Sequence, residues 1–332
     1  MSGSRDDNRR KISRREFAGF AAGVFVVAAI PVARSRRTPV VRRTMPVMGT
    51  VADFAVVHRD PARAHAAIDA AMAELAWVER TMTRFSASSD IGRANRLAHR
   101  EPVQVSSATA LVTAEALRWA RALDGHYDPA IGSVVELWDV TNRHEPPADD
   151  RVAELAGREF HRAVEVDTHR GSPAIVYHAA DARLDLGSIA KGYGVDRAIT
   201  ALRNNGIEKA LVVVGGDLYA LGTSPSGDAW RVGIQSPWDS RAMAGFVEVS
   251  DRAVATSGTY QQFFRYRGKR YHHIMDPRTA RPQATAMESL TVIADSTMHA
   301  DVAASALYGL STPDITETLA RQLPGGQLAK VL

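Results

Sequence analysis

Cysteine is absent from all 332 residues. That excludes disulfides, thiolate metal sites, a thiol nucleophile and a lipid-modified N-terminal cysteine. Aromatic residues are sparse at 7%, and none are interleaved with basic side chains in the stripe that a phosphate backbone needs. A net positive charge is also missing from most of the chain. Residues 1–43 hold eleven Lys/Arg and three Asp/Glu, whereas the remainder holds thirty against thirty-four. The basic balance therefore belongs to the leader, and nucleic-acid binding by the folded body is excluded. Walker A spacing and G-x-G-x-x-G are both lacking, so the two familiar nucleotide loops are excluded as well. Beyond the leader there is no internal repeat and no low-complexity segment.

What is present begins with an address. Arg9-Arg10-Lys11 and Ser13-Arg14-Arg15-Glu16-Phe17 precede a nearly uncharged run, rich in Ala, Gly and Val, over residues 17–33. A charged n-region, an apolar h-region and a small-residue end describe an export signal. The Ser-Arg-Arg-x-Phe pattern is of the twin-arginine type used for proteins exported folded. A short membrane anchor is the competing reading, because the run is near the lower length limit for spanning. Pro31 and Ala33 make a poor cleavage site, so cleavage stays undecided. Both readings put the body outside the cytoplasm, in the periplasm or at the cell surface, with membrane contact through this segment in the second. Residues 1–43 are expected to be signal and linker, and residues 44–332 one domain.

In that body, residues 48–57 alternate as a strand. Residues 61–83 have helical spacing, with Pro61 suited to a first turn, and residues 86–92 read as a polar loop. Residues 107–123 predict a second helix with Ser107 as N-cap. Residues 141–150 read as a loop, 162–186 as short strands, and 194–204 as a helix. Residues 210–214 have the pattern of a buried strand stopped by Gly215-Gly216-Asp217. Strands are also expected within 230–235, 246–249, 262–274 and 290–293, with a last strong helix over 298–310. The interleaving has no βαβ rhythm, so the fold class is α+β, with two interlocked lobes.

Four clusters sit at element ends, where sites are usually built. The turn Asp185-Leu186-Gly187-Ser188-Ile189-Ala190-Lys191 joins a strand to a helix. It offers backbone donors and a lysine to an anion, or serves equally as a structural turn. Gly215-Gly216-Asp217 reads best as a tight turn. His272-His273 invites a metal reading, but adjacent side chains on a strand point to opposite faces. One imidazole facing the site as a general base is the better assignment. Asp301 and Ser305 share one helix face and have the hard oxygens that magnesium takes. Taken alone, Asp301 is better explained as a buried cap of a neighbouring turn.

Taken in order, these segments resemble the FAD:protein FMN transferase family, also called the ApbE family. The matching stretches are MGT at 48–50, RFSASSDIGRAN at 84–95, DGHYDPAIGSVVELW at 124–138 and LDLGSIAKGYGVD at 184–196. They continue with VVVGGDLYALG at 212–222, ATSGTYQQFF at 255–264, RYHHIMDPRTARP at 270–282 and ADVAASAL at 300–307. The resemblance implies an α+β domain that binds FAD as substrate in the cleft between its two lobes, with Mg2+ on the pyrophosphate. It implies attack by a Thr or Ser hydroxyl of a target flavoprotein on the FMN-side phosphorus, with AMP leaving. It implies that Met48, Phe85, His126, Tyr127, Asp128, Asp185, Lys191 and Ile274 bind FAD. Ser188, Asp301, Ala304 and Ser305 would hold the metal, Ser188 and Ala304 through their carbonyls. His273 would be the base, and Asp276 would hold its segment or orient it. Ser305 stands where the family commonly has Thr, and Ser188 where it often has Gly or Ala. Ala280 stands where many members have Gly, so a left-handed backbone there is penalised. An FAD pyrophosphatase using the same residues, and a flavin-binding protein without chemistry, are the competing readings.

Overall fold

A computed structural model describes residues 38–168 and 171–332. The expected export signal and the apolar run lie outside the described residues, apart from the last few positions of the linker. In chain order the elements begin with β1 (Val40–Val47), β2 (Thr50–Val57), the long helix α1 (Pro61–Met82) and α2 (Asp90–Leu97). There follow β3 (Val103–Gln104), α3 (Ser107–Ala122), α4 (Gly132–Trp138), α5 (Asp149–Leu155), β4 (Val164–Asp167) and β5 (Ala174–Tyr177). Next come α6 (Ala190–Asn204), β6 (Ala210–Val214), β7 (Asp217–Leu221), β8 (Trp230–Gln235), β9 (Met243–Val249) and β10 (Arg252–Gly258). The chain ends with β11 (Phe263–Tyr266), β12 (Lys269–His272), β13 (Met275–Asp276), β14 (Arg281–Pro282), β15 (Ser289–Ala294), α7 (Thr297–Ala306), α8 (Thr312–Gln322) and β16 (Gln327–Val331).

The organising element is a seven-stranded sheet in the order β1-β2-β6-β7-β10-β15-β16, antiparallel at every pairing. Its central strands are apolar on both faces because both are covered. Ala52, Phe54, Val56, Val212 and Val214 enter the main core beneath the helices. Ala55, Val57, Leu211 and Val213 pack on the other side against Trp230, Val232 and Val249 of the β8–β9 ribbon. On the helical side, α1 buries Ala64, Ala67, Ile68, Ala71, Leu75 and Val78, the three-and-four spacing of one helix face. Asp60 caps it by accepting from the amides of Ala62 and Arg63, and Pro61 needs no partner there.

A smaller lobe is built on α4, α5 and β11 to β14, around Val134, Trp138, Val152, Phe264, Met275 and Ala280. The fold is thus α+β with two lobes, as expected. Ala280 takes the left-handed conformation, at φ 52°, with its methyl fully buried. That backbone costs an alanine about 1–2 kcal/mol. The Trp138 indole donates to its carbonyl at 2.7 Å, which holds the turn in place.

Helices α6 and α7 meet unusually closely. Gly192 lies against the first turn of α7, where a Cβ would run into the Thr297 carbonyl and stand 2.8 Å from Met298 Cα. One turn on, Asp196 accepts from the amides of Thr297 and Met298 at 2.7 and 2.9 Å. These are orphan donors at a helix start, so α6 supplies part of the N-terminal cap of α7.

Several expectations shift. Residues 40–43, assigned to the linker, form the first half of β1, paired with β2 from Val40 to Val57. Met48 is in the β1–β2 turn at φ 52° rather than in a strand. Ser106, not Ser107, caps α3. Strands β7, β10 and β16 and helices α2, α4, α5 and α8 escape the periodicity, because they are short or carry polar residues that tertiary contacts bury.

Gly192→Ala is expected to lower the unfolding free energy by about 2–3 kcal/mol, since the added methyl meets backbone rather than a movable side chain. Urea denaturation checks this. An unchanged midpoint would show that the two helices are not in forced contact.

Candidate active site

The sheet's turns and the helix starts converge on one cavity of about 800 Å³ between the lobes. Strand β2 begins, β6 ends and β7 begins at the same end of the sheet, as the pairing of Ala52 with Val214 and of Val214 with Asp217 requires. Strand β10 runs antiparallel to β7 and finishes there too, bringing Ser257 and Gly258. The remaining walls come from the Arg84-Phe85 segment after α1, the turn before α6, the base of the β11–β12 hairpin, and one face of α7.

Of the residues singled out from the sequence, Met48, Phe85, His126, Tyr127, Asp128, Asp185, Ser188, Lys191, His273, Ile274, Asp301 and Ser305 all line this cavity. Two do not. Ala304 is fully buried in the main core, with its methyl among apolar neighbours. Asp276 is buried in the smaller lobe, where it accepts from the Arg278 amide at 3.0 Å and pairs with its guanidinium at 3.1 Å. It fastens the β13–β14 turn, and no hydrogen bond ties it to His273 among the described residues. Asp128 reaches the wall, but its carboxylate is spent on structure. It accepts from the amides of Ala130 and His161 and meets the His161 ring at 3.0 Å, with both side chains buried.

Charge concentrates at one point. The Lys191 ammonium stands 2.9 Å from Asp217 and 3.3 Å from Asp301. It also donates to the Gly187 carbonyl at 3.0 Å, and Asp301 accepts from the Gly192 amide at 3.0 Å. Both carboxylates are 4% exposed, so one cation serves two buried anions. Burial, reinforced by the charge of Asp301, pushes the Asp217 carboxyl up to about 7. Burial also raises Asp301, against the pull of Lys191. Lys191 itself is held well above the ordinary lysine range, because the two carboxylates outweigh its desolvation. One oxygen of Asp217 has no hydrogen-bond donor aimed at it although the ammonium is near.

This surplus of negative charge suits a hard cation. Asp301 faces the cavity one helical turn from Ser305, whose hydroxyl meets that of Ser257 at 3.0 Å. Among the described residues no cluster of three or more His, Asp or Glu could hold a metal alone. A cation here would be shared between few protein oxygens and those of a ligand, the manner of Mg2+ with phosphates. Nearby, the Tyr127 and Ser188 hydroxyls are 2.7 Å apart. Asp185 accepts from the Gly187 amide and pairs with Arg84 at 2.9 Å.

The two histidines part as strand geometry requires. His272 is buried and meets the Gln283 carbonyl through Nε2 at 3.1 Å, while its Nδ1 has no partner. Burial and the neighbouring His273 push it down to about 4. His273 is half-buried on the cavity wall, with Nδ1 3.3 Å from the Gln262 carbonyl. Burial, with the Lys191 charge, lowers it below the usual imidazole range against the Gln262 hydrogen bond. The tautomer protonated on Nδ1 satisfies that carbonyl and leaves Nε2 free to take a proton.

The sequence reading missed Asp217, Arg84 and Ser257. Asp217 follows a double glycine whose residues take φ 57° and 103°, the two-residue hairpin turn. An acid after such a turn looks structural until a lysine from α6 is found against it.

Comparison with known proteins agrees on one family. The ApbE family pattern matches residues 48–328. The chain is 34% identical over 235 residues to an FAD:protein FMN transferase of Klebsiella pneumoniae, covering 70% of this chain and 72% of that one. It is 33% identical over 267 residues to that of Vibrio cholerae, covering 79% of each. Among solved structures it is similar to the ApbE protein of Thermotoga maritima, with a TM-score of 0.78, 25% identity and 87% and 93% of the two chains covered. The flavin transferase ApbE of Vibrio cholerae superposes with a TM-score of 0.74 at 29% identity, covering 87% and 94%.

Lys191→Met leaves two buried carboxylates facing each other and should cost about 3 kcal/mol of unfolding free energy at neutral pH. Adding Asp217→Asn should restore more than half of that loss. Chemical denaturation of the single and double variants checks it, and additive losses would mean that Lys191 does not neutralise Asp217.

Proposed function

The chain belongs to the ApbE family and transfers FMN from FAD to a target protein, and we propose that Asp301, Ser305, Lys191 and His273 carry that reaction. The observation behind this assignment is their meeting in one cavity, an anionic hard-oxygen corner beside a neutral imidazole. Met48, Phe85, Ile131, Val135 and Ile274 give the same cavity apolar wall for a flat ring system.

The residues divide the work by chemistry. Asp301 and Ser305, with Ser257 beside them, would hold Mg2+, which when bound neutralises charge on a diphosphate and on the phosphate that leaves. Lys191 holds the Asp301 carboxylate in place and adds a positive charge for phosphate oxygens. His273 accepts through Nε2 the proton of a Thr or Ser hydroxyl on the target. The hydroxyl oxygen then bonds to the FMN-side phosphorus. The bond from that phosphorus to the bridging oxygen breaks, and AMP departs with the electron pair. Tyr127 and Ser188 support the turn before α6 through their mutual hydrogen bond.

The Ser13-Arg14-Arg15-Glu16-Phe17 pattern and the apolar run after it support a site of action outside the cytoplasm. Among the described residues no helix is long and apolar enough to cross a membrane.

Mass spectrometry with FAD, Mg2+ and a Thr-bearing acceptor protein tests the assignment. The acceptor should gain the mass of FMN less water, with AMP released in equal amount. His273→Ala should slow transfer by roughly 10²–10⁴-fold with FAD affinity kept within about twofold. Asp301→Ala should abolish the dependence on Mg2+ together with turnover. Free FMN and AMP with an unlabelled acceptor would make the protein a pyrophosphatase instead, and intact FAD would make it a carrier.

A further inference from the structure

We propose that the β11–β12 hairpin is the docking surface for the acceptor protein and that it recognises acidic residues flanking the acceptor hydroxyl. This rests on the transferase reading above. The hairpin carries Arg265, Arg267, Lys269 and Arg270 among Phe263, Phe264, Tyr266 and Tyr271, a local interleaving of basic and aromatic residues that the sequence was expected to lack, and no acidic residue, in a body that is otherwise net negative. Arg270 is neutralised by Glu288 at 2.6 Å. Arg265, Arg267 and Lys269 are exposed, and among the described residues none of the three pairs with a carboxylate.

The arrangement is locally unfavourable for the hairpin by itself. Arg265 and Arg270 are directly opposed across the two strands, and Glu288 answers the charge of Arg270 alone, leaving Arg265 without a carboxylate partner among the described residues. The turn places Arg267 at φ 48° before Gly268 at φ 78°, a conformation that favours Gly, Asn or Asp. An anionic partner would answer the unpaired charges of Arg265 and Arg267.

The cations are nonetheless held on a firm support. On the inner face Tyr271 stacks on Phe264 at 5.1 Å and on Trp138 at 5.6 Å. On the outer face Phe263 is 39% exposed, with the Arg265 and Arg270 guanidinium groups each 5.7 Å from its ring. That combination suits a polypeptide, offering an apolar contact beside charge.

Position selects the partner. Gln262 immediately precedes β11 and His273 immediately follows β12, and both line the cavity. The hairpin forms a two-stranded sheet by itself among the described residues, so an extended chain can lie along it. Four residues of strand span about 13 Å. An acceptor hydroxyl at His273 would therefore place an acidic residue about three or four positions away against Arg265 on the outer face, with Arg267 at the tip beyond it, while Lys269 lies on the other face of the ribbon over the Tyr271 ring at 5.2 Å. An anionic lipid surface could also meet these cations, but it has no extended polypeptide to lie along the hairpin and carry a Thr or Ser side chain into the cavity.

The test uses two fluorescent peptides with a single Thr, one flanked by Asp and the other by Asn. Anisotropy measures their binding to the full chain, to Arg265→Glu/Arg267→Glu/Lys269→Glu, and to the milder Arg265→Gln/Lys269→Gln. The full chain should bind the Asp peptide about tenfold more tightly than the Asn peptide, and the preference should shrink with salt and vanish in both variants. In transfer assays the acceptor KM should rise about tenfold, with kcat and FAD affinity within about twofold. Unchanged KM and peptide binding in the reversed variant would overturn the docking surface while leaving transfer intact. So would a parallel loss of FAD affinity in both variants, or lost binding to phosphatidylglycerol vesicles with acceptor KM unchanged. Hairpin-dependent peptide binding without any FMN transfer by the full chain would instead overturn the transferase reading alone.

Discussion

The contact between α6 and α7 is the constraint on which the rest of this structure depends. A glycine at 192 lets the two helices touch at backbone distance, and Asp196 fixes the register by satisfying the first amides of α7. With that register set, Asp301 lies against the Gly192 amide and the Lys191 ammonium. A larger residue at 192 would meet the α7 backbone at Thr297 and Met298, on the two helices that carry this lysine and carboxylate. Packing and chemistry are joined in a single residue.

The charge arrangement that results is poor for stability by itself. Two buried carboxylates share one ammonium, and Asp217 is pushed upward by both burial and its neighbour. A structure optimised for folding alone would replace such a cluster with apolar groups. Its persistence beside hard hydroxyl donors is understandable if a cation and a diphosphate complete the balance. The same cavity lowers His273 by burial, keeping its imidazole neutral where a proton must be taken. One enclosure thus stores negative charge in one corner and basicity in another.

The antiparallel sheet makes this convergence possible. Because its neighbouring strands alternate in direction, the β1–β2 turn, the β6–β7 turn and the end of β10 fall together at one edge. The helices close that edge from one side and the smaller lobe from the other. The β11–β12 hairpin belongs to that lobe and borders the cavity with its base, so the surface that would receive a partner is continuous with the residues that would react with it.

The sequence by itself determined which segments carry chemistry. Most matching motifs sit where an element begins or ends, although 300–307 lies largely within α7, and short-range rules are enough to see a strand, a turn with a lysine, or an acid and a hydroxyl sharing one helix face. It also determined the α+β class, and periodicity put the two adjacent histidines on opposite faces, while the choice of His273 came from the family resemblance. Only the tertiary structure decided that Asp217 belongs to the charged centre, that Asp276 and Asp128 are spent on holding turns, and that Ala304 faces the core. These depend on which distant side chain arrives beside a carboxylate: Lys191 and Asp301 are 110 residues apart in the chain. No local pattern encodes such a meeting, because it is set by helix packing and strand order acting together.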